Sequence, residues 1–485
     1  MAEKKRLYEQ LSSYGESDYY PYHMPGHKRK QLGKMAPELL RADITEIDGF
    51  DNLHQPEGIL RDLQKRASEL YGAEETFYLI NGSTCGILSA VSAALPEGGH
   101  LLMARGCHKS AYHAVYLRGL RVSYLYPEPV KNFDFGETVT AEQVEQALGN
   151  MPDIGAVLIV SPTYEGRIAD IRAIAEIVHK RGIPLIVDEA HGAHLGFAEG
   201  FAEGSCTQGA DLVVHSVHKT LPAMTQTSLL HINGSRIDRE RVKRFLHIYQ
   251  SSSPSYLLMS GIEDALEIVA EQGGERFGRF RELYRKMLEH LQACRVLWFV
   301  PWEDIERGRQ DIGKLVISVG EAEVSGQWIY DLLREKYHLQ CEMAAGNYCL
   351  AMFTLADDEE AYDRMEQALL EIDRMLWNQK MDTGIREGQH PETKADIRKE
   401  HIFIPDSAYP LTEAWDMPCK MTKLSDAVGC PVGDFVNLYP PGIPLLVPGE
   451  ILNHELYEQI LRDRARGLRV QGIEEQDGEV SIHTI

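Results

Sequence analysis

A lysine placed where an apolar strand gives out is the first feature of this chain that could do chemistry. Val213-Val214-His215-Ser216-Val217-His218-Lys219-Thr220-Leu221-Pro222 is a β-branched run closed by Ser, His and Lys. Thr225-Gln226-Thr227 then leads into a second apolar run, Ser228–Ile232. A lysine at such a point sits on rigid scaffold, at the edge where open α/β sheets keep their ligands. Its amine condenses with carbonyls once desolvation or a neighbouring cation lowers its pKa. Taken alone, Ser-x-His-Lys reads as a surface lysine beside a turn.

Three other segments change that reading. Pro184-Leu185-Ile186-Val187 reads as a strand ending in Asp188-Glu189-Ala190-His191-Gly192. Asn81-Gly82-Ser83-Thr84 lies between a predicted strand, Thr76–Ile80, and a predicted helix, Cys85–Leu95. Backbone N–H groups, hydroxyls and a helix dipole at such a turn suit a phosphate; an ordinary Ser/Thr N-cap explains the same letters. Cys107-His108-Lys109-Ser110 opens a helix after the short strand His100–Ala104. Jointly, these features meet the demands of pyridoxal phosphate (PLP). Its aldehyde needs a lysine, its pyridine nitrogen a carboxylate, its phosphate donors, and its ring a flat or apolar neighbour such as His108. A generic α/β enzyme fits them as well.

The elements that must position these residues alternate from about residue 60. Leu60–Tyr71 has helical spacing and stops at Gly72, and single helices then separate strands near 100, 122, 157, 185 and 213. That order implies right-handed crossovers and a mostly parallel sheet, and the continuously apolar runs near 157, 185 and 213 suit strands covered on both faces. No Gly-x-Gly-x-x-Gly follows a strand, so no dinucleotide fingerprint is present. Residues 237–290 read as largely helical, interrupted at Gln250–Tyr256. Strands at Lys314–Val319, Gln340–Met343 and Tyr348–Phe353, with helices Val324–Lys336 and Glu359–Trp377, predict a small α+β domain. Gln379–Lys399 is polar and reads as a linker, and the tail beyond it carries the proline-rich Asn437–Glu450 run.

Composition excludes several classes. The 485-residue chain carries a formal net charge of -23, which argues against a nucleic-acid partner and is compatible with a small cationic substrate. No apolar run approaches the roughly 18 residues of a membrane helix, and Met1–Arg6 lacks the apolar stretch of a signal peptide. Eight scattered cysteines with no Cys-x-x-Cys pair indicate neither a metal site nor a disulfide framework, and fit a reducing cytoplasm.

The chain resembles the Orn/Lys/Arg decarboxylases of the aspartate-aminotransferase fold type, in the shorter form common in Gram-positive bacteria. The resemblance rests on Pro-Gly-His-Lys at 25–28, Asn-Gly-Ser-Thr at 81–84, Cys-His-Lys-Ser at 107–110, Ser-Pro-Thr-Tyr-Glu-Gly at 161–166, Asp-Glu-Ala-His-Gly at 188–192, Ser-Val-His-Lys at 216–219 and Tyr-Pro-Pro-Gly-Ile-Pro at 439–444. It implies an α/β fold: a PLP-binding large domain with a mostly parallel seven-stranded sheet (60–290), a small α+β domain (291–378), and a C-terminal extra domain (401–485). An N-terminal arm and active-site loop (1–59) and a linker (379–400) complete the expected layout.

The resemblance also implies roles. Lys219 would hold the cofactor, Asp188 pair with the ring nitrogen, and His108 stack on the ring. Ser83, Thr84 and Ser216 would bind the phosphate. His218 would lie beside the lysine, and Ala190 would pack on the other ring face with His191 next to it. Ser252 or Ser253 of a second subunit would complete the phosphate cup, so a homodimer or larger homo-oligomer is expected, without the receiver-like wing domain of the larger members. The reaction implied is loss of CO2 from a basic L-amino acid (arginine or lysine, ornithine a third possibility), giving an amine of polyamine metabolism. Lys219 or His218 would return the proton. Glu450, Asp48 and Asp51 are candidates to meet the distal substrate cation, each equally readable as a solvated acid. An aminotransferase of the same fold, with an arginine such as Arg364 or Arg374 for the substrate carboxylate, is one alternative; a non-catalytic PLP-binding regulator is another.

Overall fold

The computed structural model describes residues 6–130, 133–320, 322–382, 404–438, 442–476 and 478–485. Most of the expected 379–400 linker, and Tyr439-Pro440-Pro441 of the proline-rich run, lie outside the described residues. In chain order come helices α1 (Leu7–Glu16), α2 (Pro37–Ala42) and α3 (Ile59–Tyr71), strand β1 (Glu75–Leu79), α4 (Gly82–Ala94), β2 (His100–Ala104), α5 (Lys109–Leu117), β3 (Arg121–Leu125) and α6 (Ala141–Asn150). Then follow β4 (Ala156–Val160), α7 (Ile171–Lys180), β5 (Leu185–Asp188), β6 (Leu212–Ser216), α8 (Val217–Thr220), β7 (Ser228–Ile232), α9 (Arg239–Tyr249) and α10 (Tyr256–Leu291). The remainder holds α11 (Trp302–Glu306), β8 (Lys314–Ser318), α12 (Gly326–Lys336), β9 (Met343–Ala345), β10 (Tyr348–Met352), α13 (Glu359–Asp382) and α14 (Leu411–Ala414). The last elements are β11 (Lys420–Lys423), β12 (Val436–Leu438), β13 (Pro444–Leu446), α15 (His454–Ala465), β14 (Val470–Gln471), β15 (Ile473–Gln476) and β16 (Glu479–Thr484).

Seven strands form one sheet in the order β1-β7-β6-β5-β4-β2-β3. β5 and β6 are parallel, as are β2 and β3, while β7 runs antiparallel to both β1 and β6. The continuously apolar runs behave as their composition demands: β5 and β6 are buried at every residue. By its internal packing the chain divides into two units. The first comprises Met1–Pro96, Gly155–Ile159 and Asp170–Gly278; the second, Glu97–Ile154, Val160–Ala169 and Arg279–Ile485.

In the first unit, α3 buries Leu60, Leu63, Ala67 and Tyr71 and is stopped by Gly72 in the left-handed region, φ +67°. Helix α4 lies close on the sheet because residue 86 is glycine. A Cβ there would stand 2.7 Å from Val214 Cγ1 and 2.9 Å from Leu79 Cδ1. This contact sets the height of the α4 N-terminus over β6.

In the second unit, β8, β10 and β9 form an antiparallel sheet around a core of Val316, Met343, Tyr348 and Leu350. Strand β9 starts at Met343 rather than Gln340. Gly346-Asn347 closes a two-residue hairpin, and the pairs Ala345↔Tyr348 and Met343↔Leu350 fix the register from that turn outward. The C-terminal stretch builds two further three-stranded sheets, β11-β16-β15 and β13-β12-β14, over a core that includes Leu424, Val436, Leu446, Leu456 and Ile460.

Candidate active site

Lys219 stands one turn beyond the strand end expected for it. Ser216 closes β6, and the chain winds into the four-residue helix α8, with Val217 N donating to Thr227 O (3.1 Å) and Leu221 N to Val217 O (2.9 Å). The 224–227 loop therefore holds α8 in place. In that loop Gln226 takes φ +86°, donates from Nε2 to Ile80 O (2.5 Å), and accepts from Gly82 N through its carbonyl (3.0 Å). Gln226 so joins the lysine turn to the entry of α4. Sequence reading took it only as part of the polar lead into the second apolar run.

The Lys219 amine is partly buried, with Nζ 3.1 Å from His191 Nε2. Asp188, 6% exposed, ends the neighbouring strand β5 and accepts from Ala190 N (3.2 Å). Burial pushes the Asp188 carboxyl above its usual range, and the Lys219 charge, the Ala190 N–H and the His215 charge pull the other way. A cationic ring nitrogen against it would favour the carboxylate further. His218 donates from Nδ1 to Thr227 O (2.8 Å), which leaves Nε2 as its acceptor. Burial lowers the His218 pKa, with the Thr227 carbonyl opposing and Lys219 adding to the fall, so the ring is held neutral near pH 7.

Ser83 and Thr84 lie within the first turn of α4, not before it; Asn81 is the N-cap residue and its side chain caps nothing. The N-cap explanation of Ser83 and Thr84 is thus not the one the backbone adopts. Ser216 is fully buried, and its hydroxyl finds no hydrogen-bond partner among the described residues. A buried hydroxyl without a partner costs free energy unless something is built to meet it. Ala190 and His191 are buried just beyond Asp188. Ser252 and Ser253 lie on an exposed turn that His54 reaches through Ser251 O (2.8 Å).

His108 belongs to the second unit. It is the N-cap of α5, its Nδ1 accepting from Ser110 N (3.3 Å), so the ring has a fixed orientation. Of the three acids offered to a substrate cation, two have other partners. Asp51 accepts from the backbone N–H groups of Glu57 (2.9 Å), Gly58 (2.8 Å) and Leu60 (3.0 Å) at the entry to α3. Burial raises its carboxyl pKa, but the backbone N–H groups of Glu57, Gly58, Asn52 and Arg61 outweigh that and hold it below the usual range. Glu450, 3% exposed, is paired with the buried Arg105 at 3.0 Å and accepts from Val447 N at 2.9 Å. Asp48 is exposed. Arg364 donates to Tyr337 O and His338 O, and Arg374 is exposed.

Sequence reading also passed over a buried polar chain in the first unit. Ser205 Oγ donates to Glu189 (2.6 Å), His215 Nε2 meets Glu189 Oε2 (2.6 Å), His215 Nδ1 meets His231 Nε2 (3.0 Å), and His231 Nδ1 meets Thr76 Oγ1 (2.8 Å). Its members come from β1, β6, β7 and the segment after β5. Only the strand order joins them.

A lysine one turn past a strand, a buried aspartate at the next strand end and a turn rich in hydroxyls define an α/β enzyme of the PLP-dependent fold type I class. Comparison with known proteins makes this specific. The family model for the Orn/Lys/Arg decarboxylase major domain matches residues 5–302. The arginine decarboxylase of Bacillus subtilis is 30% identical, over 97% of this chain and 95% of that protein. The lysine decarboxylase LdcA of Pseudomonas aeruginosa is 24% identical, over 59% of this chain and 43% of that protein. Among solved structures, the Francisella novicida lysine decarboxylase LdcF superposes with a TM-score of 0.81 at 18% identity, covering 99% of this chain and 81% of that one. The chain belongs to the Orn/Lys/Arg decarboxylase family and is an amino-acid decarboxylase, with the fold expected of it. No helix among the described residues is long and apolar enough to cross a membrane.

Proposed function

We propose that the chain removes CO2 from a basic L-amino acid, arginine first and lysine next, in a homodimer whose subunits share active sites. The product would be an amine feeding polyamine metabolism. The observation that carries this reading is Lys219 beside His191, one turn beyond β6, with Asp188 buried at the neighbouring strand end. Arginine is placed first because relatives from Bacillus subtilis, Halalkalibacterium halodurans and Bacillus anthracis, each matching 97–98% of this chain, bear the name arginine decarboxylase.

The residues fit PLP. Lys219 would hold its aldehyde carbon and Asp188 its ring nitrogen. Ser216, whose buried hydroxyl has no partner among the described residues, would hold its phosphate together with Ser83 and Thr84. His108 would cover one ring face and Ala190 the other, and Ser252 or Ser253 of the partner subunit would reach the phosphate. When bound, the cofactor supplies the electron sink that accepts the pair left behind by CO2. The proton balance is set by the protein's own groups. Neutral His218 has its only ring proton committed to Thr227 O, so it cannot donate one. Return of a proton to the substrate carbon therefore falls to the Lys219 amine, which His191 Nε2 orients from 3.1 Å.

Assay of the PLP-loaded protein with arginine, lysine and ornithine, without a keto-acid acceptor, tests this. CO2 and the matching amine by mass are expected with arginine. Lys219→Ala should abolish turnover and the visible absorbance of the lysine-bound cofactor. Keto-acid-dependent amine transfer without CO2 would show an aminotransferase instead.

A further inference from the structure

Glu189, His215 and His231 have no part in the reading above, yet they are among the most deeply buried polar groups in the chain. Glu189 and His215 are each 1% exposed and His231 is fully buried. Strand alternation gives them a definite side. In β6, Val214 pairs with Asp188 while His215 points to the opposite face, where His231 of β7 also projects. Asp188 and the buried chain thus occupy opposite faces of the same two strands.

A buried carboxylate needs a compensating positive charge and donors for its lone pairs. Glu189 accepts from three donors: Ser205 N (3.1 Å to Oε1 and 3.2 Å to Oε2), Ser205 Oγ (2.6 Å) and His215 Nε2 (2.6 Å). This set suits an acceptor-only carboxylate. Arg66, which acts on Tyr78 of the same face, is taken up by Glu263 and Glu267. Tyr71 and Cys206 are both pushed up by burial, with Glu189 adding to the rise, and remain neutral. Burial lowers His231 well below its usual value, and the adjacent His215 lowers it further. The Tyr71 ring lies 4.8 Å from His215, centroid to centroid, where a π-face favours a cation. Its hydroxyl is committed to Ala193 O (2.8 Å).

We propose that Glu189 and His215 form a buried carboxylate–imidazolium pair whose positive end, acting through the sheet, keeps Asp188 ionised opposite the cofactor ring nitrogen. His231 is the neutral third member: it accepts the His215 Nδ1 proton and passes its own Nδ1–H to Thr76. The inference deepens the decarboxylase reading and rests on it for the cofactor. Glu189 and His215 are positioning residues, since neither touches the ring. The charge on Asp188 matters because only an ionised carboxylate keeps the ring nitrogen protonated.

Two measurements test it, one without cofactor. In cofactor-free protein labelled with 15N-histidine, one buried histidine should carry protons on both ring nitrogens at neutral pH, and Glu189→Gln should remove that signature. Absence of a doubly protonated buried histidine overturns the proposal, whether or not the variant folds. In PLP-loaded protein, His215→Gln, which removes the positive end and leaves the carboxylate, should shift the visible band toward the form with an unprotonated ring and lower kcat severalfold, with KM little changed. A folded variant with unchanged band and kcat overturns it as well. Wild-type protein that gives no visible band with PLP would instead sink the decarboxylase reading, while the histidine signature still decides the charge of the pair.

Discussion

At residue scale, Ser216 offers the cleanest separation of cofactor binding from folding. Its hydroxyl is buried and lacks a partner among the described residues. Removing it therefore relieves a desolvation cost in the cofactor-free chain instead of breaking a bond. Ser216→Ala should leave the urea midpoint of the cofactor-free protein equal or slightly higher. The PLP dissociation constant should rise about tenfold, the usual loss for one hydrogen bond to a charged group. Equilibrium titration of the visible band and denaturation of the same preparation read the two effects separately. A loss of stability without a change in cofactor affinity would remove Ser216 from the phosphate site. His231 makes a second case. Burial holds it below its ordinary value of 6.5, so it stays neutral while the unfolded chain takes up a proton. Its contribution to stability is fully present above pH 6.5 and is lost as pH falls below it, by up to about 1.4 kcal/mol per pH unit. Urea unfolding between pH 7.5 and 5.5 should show a shallower decline in His231→Gln than in the parent.

At the scale of elements, α4 is held to the sheet through a glycine. Gly86→Ala would set a methyl 2.7 Å from Val214 Cγ1, and the helix must lift or the strand side chain must turn. The expected cost is about 1–3 kcal/mol, the range for overpacking. Because Ser83 and Thr84 ride on the same helix, PLP affinity should fall too, in contrast to the Ser216 variant's stability. Much of this layer was legible in the sequence. The runs at 156–160, 185–187 and 212–214 are apolar throughout, and the helical spacing of α3 stops at Gly72 where the sequence says it should. Three things were not legible. The α8 turn is four residues long, too short for periodicity to show, so Lys219 read as lying at the strand end. The insertion of β7 between β1 and β6 brings His231 to His215 across 16 positions and to Thr76 across 155; no spacing rule foretells that. Asp51 read as a loop acid because its partners are backbone N–H groups, which every residue but proline has.

At the scale of the whole molecule, one buried ion pair ties the far end of the chain into the second unit. Arg105 follows β2, and its guanidinium is met by Tyr112 Oη (2.6 Å), Glu450 (3.0 Å) and Leu445 O (3.2 Å). It also lies over the Tyr112 and Tyr124 rings, at 5.6 and 5.3 Å. Glu450 is anchored in turn by its own backbone, which accepts from Val432 N and donates to Val447 O. Burial raises the Glu450 carboxyl pKa, and Arg105 and the Val447 N–H lower it. Breaking such a pair from one side leaves an uncompensated buried charge, at about 3–5 kcal/mol. Glu450→Ala should therefore lower the urea midpoint sharply, and Glu450→Gln, which keeps a carbonyl acceptor toward Arg105, should lower it less. If the Glu450 carboxylate is committed to Arg105, KM for arginine in the Gln variant should stay within about twofold of the parent, as for a residue outside uniform substrate binding. A large rise in KM with stability unchanged would mean that the pair opens in the loaded enzyme and that Glu450 meets the substrate cation after all. The two outcomes separate because a structural clasp acts on unfolding and a substrate contact acts on binding.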